Sequence, residues 1–343
     1  MSTNQTVLLT GVTGFLGSHT TIQLLEKGYR VIGTLRKLDR APAIQAVIAR
    51  HTDRVDQLSF AEADLRDAAV WPRLMAGVDY VQHIASPFPR VLPKNDDELL
   101  IPARDGALQV LRAAAQHGVR RVVLTSSTGA IVYGKTPEQR SATFTESDWT
   151  DVTNRRDTTP YFRSKTMAER AAWGFIAEDD SGLELTTVCP GAILGPVLEA
   201  DFGTSANMVI KTMDGSSPAI PRIGFDMVDV RSVADLLIRA MEMPGAAGQR
   251  YIASAGYRTF KQLADTLREA YPDRKIPSRM LPNLMVRLIA RIEPSLKPIL
   301  VDLGVERRVS NEKAMRELNW SPRPVEEAIL ACAGSLIDHG IIK

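Results

Sequence analysis

The chain has 343 residues, 44% of them hydrophobic and 24% charged, which is enough for one large globular domain with a smaller one attached. A net charge of +2 gives no reason to expect nucleic acid or an anionic membrane as partner, and no apolar run approaches the roughly 20 residues of a spanning helix. Two cysteines, Cys189 and Cys332, rule out a disulfide framework, no metal site is expected, and the polar opening residues are not a signal peptide, so a cytoplasmic protein is expected.

Residues 7–9 read as a short buried strand, followed at once by Thr10-Gly11-Val12-Thr13-Gly14-Phe15-Leu16-Gly17. Gly11 permits a tight turn, Gly14 lets a pyrophosphate approach the backbone, and Gly17 lets the next helix pack close on the strand. The spacing is G-x-x-G-x-x-G, and its position between a strand and an amphipathic helix points to nucleotide binding. A second strand, 30–34, runs into Leu35-Arg36-Lys37-Leu38-Asp39-Arg40. An NAD enzyme usually places an acid at this strand end, whereas Arg36, Lys37 and Arg40 suit the 2′-phosphate of NADPH.

A helix is expected over 41–50, then a third strand at 58–63. Asp64 follows it, either against the adenine edge or as the N-cap of a helix near 67–75. The fourth strand, 78–85, ends in Ala85-Ser86-Pro87 at the ligand-binding edge of the sheet; His83 within it reads as a core histidine. A long helix spans 95–117, and the fifth strand, 120–125, opens onto Ser126-Ser127. Strand and helix alternate to about residue 190, which predicts an α/β fold: a Rossmann doubly wound parallel sheet.

Tyr161 and Lys165 lie one turn apart at the start of an amphipathic helix. A free phenol has a pKa of about 10, and a neighbouring ammonium lowers it toward neutrality, which suits proton transfer. A serine after the fifth strand would complete the set by hydrogen-bonding a substrate carbonyl oxygen. Past residue 190 the pattern loosens: a return segment near 226–243 rejoins the dinucleotide-binding part, 1–190, and the rest of 191–343 reads as a smaller, mostly helical, discontinuous substrate lobe. Helices are expected at 260–270, 281–292, 311–318 and 324–338.

These residues, together with Asp64-Leu65, His83-Ile84-Ala85-Ser86-Pro87, Pro190-Gly191 with Gly195-Pro196, and Asp229-Val230-Arg231, make the chain resemble the extended short-chain dehydrogenase/reductases. The resemblance is to the branch of dihydroflavonol 4-reductase, cinnamoyl-CoA reductase and the aldehyde and ketone reductases, and it runs through about residue 235. It implies NADPH-dependent reduction of a carbonyl to an alcohol, with Ser127, Tyr161 and Lys165 catalytic and Tyr161 the general acid. It further implies cofactor contacts from the glycine turn (Thr10, Gly11, Thr13, Gly14, Phe15, Leu16, Gly17), Arg36 and Lys37, Asp64 and Leu65, Ala85 and Ser86, Tyr161 and Lys165, and Pro190, Gly191 and Ile193. Arg36 is the stronger candidate for the phosphate, because the spacing of the later cations departs from the branch, as does Ser232 where a second Asp is usual. Phe88, Tyr133, Phe162, Leu194, Met208, Met213 and Phe225 are expected either to flank the substrate cleft or to pack in an ordinary core.

A nucleotide-sugar epimerase or dehydratase and a 3β-hydroxysteroid-type dehydrogenase share this fold, and a non-catalytic NADP-binding regulator is the remaining alternative. The missing acid at the end of strand two speaks against the first, and retention of Tyr161, Lys165 and Ser127 against the last. Beyond a small-molecule substrate the resemblance implies a monomer or a homodimer.

Overall fold

The computed structural model describes residues 4–86, 95–199, 202–215 and 219–343; Phe88 lies outside them. The first half runs β1 (Thr6–Thr10), α1 (Phe15–Glu26), β2 (Arg30–Leu35), α2 (Ala41–Ala49), β3 (Leu58–Glu62), α3 (Trp71–Leu74), β4 (Tyr80–His83), α4 (Asp97–Gln116), β5 (Arg121–Thr125), β6 (Thr143–Phe144), α5 (Pro160–Glu178) and β7 (Glu184–Pro190). The second half runs β8 (Ala192–Leu194), α6 (Ala206–Met213), β9 (Gly224–Asp229), α7 (Val230–Glu242), β10 (Arg250–Ala253), β11 (Tyr257–Thr259), α8 (Phe260–Ala270), α9 (Asn283–Ile292), β12 (Arg308–Val309), α10 (Glu312–Leu318) and α11 (Val325–Asp338).

Seven parallel strands form the main sheet in the order β10-β7-β5-β4-β1-β2-β3. Both faces are covered, which is why β1 and β5 read as continuous apolar runs. Side chains alternate across the pleat: Val7 and Leu9 enter the layer with α1 and α7, whereas Leu8 faces α4 and α5 on the other side. The strand order reverses between β1 and β4, and the crevice at that switch point is where open α/β sheets bind ligands.

Helices α6, α8 and α11 gather around Leu194, Val209, Met227, Leu263 and Ile329 in a second core. A three-stranded sheet in the order β11-β9-β8 joins it to the main sheet. Strand β9 and the seventh main-sheet strand, β10, are absent from the sequence expectation. β10 has only four residues, too short to show a period, and β9 runs without a break into α7, whose helical pattern hides its end. The helix expected near 67–75 shrinks to the single turn of α3.

Candidate active site

The turn between β1 and α1 has the shape its glycines suggest. Gly11 adopts φ +78°, a left-handed conformation that only glycine takes without strain. A Cβ on Gly17 would sit 2.0 Å from the carbonyl oxygen of Gly11, so the helix can approach the turn only without one. Gly14 is the N-cap of α1, with no side-chain cap and no acid in the first turn. The first amides of a helix lack intrahelical partners, and here they stay available to an anion at the positive end of the helix dipole.

Gly14, Phe15 and Leu16 open onto a cavity of about 970 Å³, which is also lined by Ser127, Tyr161, Lys165, Pro190, Gly191 and Ile193. Arg36 and Lys37 are exposed and form no ion pair among the described residues, whereas Arg40 is taken by Glu199 at 3.1 Å. An uncapped helix start, a glycine cradle and two available cations are a donor set that fits a phosphate-bearing dinucleotide.

Two expected cofactor contacts are engaged within the chain. Thr10 is wholly buried beneath the turn: its hydroxyl bonds His83 Nδ1 at 2.9 Å and accepts the Ala85 amide at 3.0 Å. Asp64 caps no helix, since α3 starts from Val70. It accepts from the Arg66 backbone at 2.9 Å and from its guanidinium at 2.8 and 3.0 Å, contacts that hold its pKa down to about 2. Leu65 is partly buried behind the sheet against α4, while Ala85 and Ser86 lie at the strand end, the former within 3.3 Å of where a Gly11 Cβ would be. His83 is a satisfied core histidine, and burial pushes its pKa down to about 3.

Thr159 caps α5 by accepting the Phe162 amide, and Pro160 occupies the first helical position. That start fixes Tyr161 in the first turn, Lys165 in the second and Glu169 in the third. The two adjacent serines face opposite ways. Ser127 lines the cavity with Tyr161 and its Oγ accepts the Gly129 amide at 3.0 Å, whereas Ser126 Oγ donates to Glu169 Oε2 at 2.6 Å. Lys165 Nζ donates to the Thr125 carbonyl at 3.4 Å, and burial pushes its pKa down to about 8.

The phenol of Tyr161 departs from expectation: burial raises its pKa, and the nearby Ser127 hydroxyl opposes the rise only in part. The site therefore holds Tyr161 as a protonated acid. Behind Lys165 a cavity of about 20 Å³, lined in part by Ser86, Thr125 and Ser126, has room for one water.

Toward the helical lobe the cavity is walled by Phe162, Phe202, Met208 and Phe225. Tyr133 stacks on Phe162 with ring centroids 3.6 Å apart. Leu194 and Met213 are buried in the second core rather than at the cleft. Sequence reasoning missed Asp302 and Arg307, which reach the cavity from a segment about 140 residues beyond Tyr161. Arg307 donates to Asp157 Oδ1 at 2.6 Å and to the Val132 carbonyl at 3.0 Å, and its guanidinium lies over the Tyr133 ring. Burial raises Asp302 to about 7, with Arg307 opposing. Asp229-Val230-Arg231 is structural: Asp229 caps α7 and pairs with Arg231 at 2.6 Å.

The profile of the NAD dependent epimerase/dehydratase family matches residues 7–254. The ketoreductase azaE of Aspergillus niger is 35% identical over 296 residues, 79% of this chain and 85% of that protein. The tetraketide alpha-pyrone reductase 1 of Arabidopsis thaliana is 33% identical over 98% of this chain and 97% of its own length. Among solved structures, the yeast methylglyoxal/isovaleraldehyde reductase Gre2, complexed with NADPH, superposes with a TM-score of 0.80 at 27% identity, covering 98% of this chain and 99% of that one.

Proposed function

The chain belongs to the NAD dependent epimerase/dehydratase family, and on that premise we propose that it reduces an aldehyde or ketone to the alcohol, with Tyr161 as general acid. It is an NADP-dependent oxidoreductase. The observation that carries the mechanism is the convergence of Ser127, Tyr161 and Lys165 on the same cavity as the uncapped start of α1.

Bound NADPH supplies the hydride. A carbonyl oxygen seated between Ser127 and Tyr161 receives two O–H donors where negative charge develops. Tyr161 then gives its proton to the forming alkoxide. Lys165, charged below about pH 8, stabilises the phenolate left behind, and the small cavity behind it offers a water path for reprotonation. The walls of Phe162, Phe202, Met208 and Phe225 favour an apolar or aromatic carbonyl compound. Arg36, with Lys37 beside it, is assigned to the 2′-phosphate, since Arg40 is already paired.

The test follows NADPH absorbance against aromatic and aliphatic aldehydes and ketones, alongside NADH and the variants Tyr161→Phe and Arg36→Ser. Turnover that needs NADPH and falls about 10²–10⁴-fold in Tyr161→Phe is expected. Equal rates with NADH would overturn the Arg36 assignment. No turnover of any carbonyl, with NAD retained in the purified protein, would overturn the reductase reading in favour of an epimerase.

A further inference from the structure

Helix α9 is amphipathic in an unusual sense, because it carries two apolar faces. Val286 and Ala290 are buried, and Val286 belongs to a cluster that includes Ile223 and Leu303. On the other side Leu284, Leu288 and Ile292 recur every fourth residue and are 69%, 48% and 88% exposed. Met285 and Ile289 fill the row beside them, 50% and 40% exposed. Single exposed apolar residues are ordinary, but a contiguous stripe of five large ones marks an interaction surface.

The net charge of the chain conceals what surrounds this stripe. Between residues 274 and 300 there are six Lys and Arg and a single acid, Glu293. Arg279, Arg287, Arg291 and Lys297 are exposed, and none forms a salt bridge among the described residues. Arg287 and Arg291 follow each other by one turn along an edge of the stripe. Two copies of α9 packed face to face would bring these cations together with only Glu293 to answer them, so charge opposes self-association. An apolar stripe with a cationic border matches the headgroup boundary of an anionic bilayer, where Lys and Arg meet lipid phosphates and the apolar side chains enter the acyl layer.

We propose that the outward face of α9 docks this protein peripherally on anionic lipid surfaces. No helix among the described residues is long and apolar enough to cross a membrane, so α9 lies in the plane of the interface. The cluster beneath it also holds Phe225, which lines the large cavity, and α9 is therefore one packing layer from the cavity wall.

The test is co-sedimentation of the full chain with phosphatidylcholine vesicles, with and without phosphatidylglycerol, at low and physiological salt. Binding is expected only with phosphatidylglycerol, and it weakens as salt rises. Leu288→Ser/Ile292→Ser should abolish it. Arg287→Gln/Arg291→Gln should weaken it about 25-fold, about fivefold per cation. All four side chains point away from the core, so NADPH-dependent turnover and thermal midpoint should match the parent and certify the fold. Absence of phosphatidylglycerol-dependent sedimentation, or its survival in both variants, would overturn the proposal. So would a dimer in analytical ultracentrifugation that dissociates in Leu288→Ser/Ile292→Ser, which would make the occupant a second copy.

Discussion

Replacing Glu169 by Ala should destabilise the protein more than most single changes, although the residue does not line the large cavity. Its side chain is fully buried and accepts from Arg250 Nε at 2.7 Å and Nη2 at 3.3 Å, from Ser126 at 2.6 Å, from Thr187 at 2.8 Å and from Trp173 at 3.4 Å. Removing the carboxylate strands a guanidinium that is only 10% exposed, which costs about 3–5 kcal/mol. The orphaned hydroxyls of Ser126 and Thr187 push the cost toward the upper end, since each unsatisfied buried group costs about 1–3 kcal/mol and the terms overlap. Glu169→Gln keeps the shape and one acceptor oxygen but sets an amide donor against the Ser126 and Arg250 donors, and should cost about 1.5–3 kcal/mol. Urea unfolding read by tryptophan fluorescence should therefore show midpoints in the order parent, Glu169→Gln, Glu169→Ala, with similar slopes. Glu169→Met with Arg250→Met should be less destabilised than either single change, because it leaves no unpaired charge in the core. A loss below about 1 kcal/mol in Glu169→Ala, or a double variant no better than the singles, would refute the reasoning.

Other outcomes follow from the same geometry. Ser127→Ala should lower kcat about 10²–10³-fold, in steady-state kinetics, with a smaller change in KM, because its hydroxyl acts where charge develops. Lys165 is protonated below about pH 8 and neutral above it, so kcat/KM for reduction should fall as pH rises through about 8. A pH profile of Lys165→Gln should lack that limb. Gly17→Ala places a methyl 2.0 Å from the Gly11 carbonyl oxygen, a backbone atom held by β1. It should cost about 1–3 kcal/mol or more and weaken NADPH binding, both measurable by thermal shift with and without cofactor. Gly174→Ala, in the exposed middle of α5 with nothing within 4 Å of the new methyl, should instead gain about 0.5–1 kcal/mol.

The sequence was most informative where function rests on local spacing. The glycine turn, the Tyr161–Lys165 turn and the apolar runs of the parallel strands each lie within one element, so their pattern survives in one dimension. The resemblance chose Ser127 over Ser126, and the fold supplies a physical reason: Glu169 claims the other hydroxyl. Asp302 and Arg307 were invisible because their roles depend on a contact with residues 132–157, which no periodicity encodes. The choice between cleft and core for Leu194 and Met213 was open for the same reason: a helical or strand pattern reports that a residue is apolar, not which surface claims it. The Arg66 partner of Asp64 went unseen because it stands two residues away in a stretch with no period.

The place of β10 has a consequence for how the protein is made. Strand β10 pairs with β7 and closes that end of the main sheet, yet it is separated from β7 in sequence by the whole of β8 to α7. Chains emerge from the ribosome amino terminus first, so every residue assigned to proton transfer is synthesised while β7 still has a bare edge. Its central residues, Thr186 to Cys189, are fully buried in the finished molecule, and an unpaired strand edge of this kind templates aggregation. Nascent chains halted between about residues 190 and 250 should therefore be the species that most need a chaperone, and the four residues of β10 act as the clasp that ends that exposure.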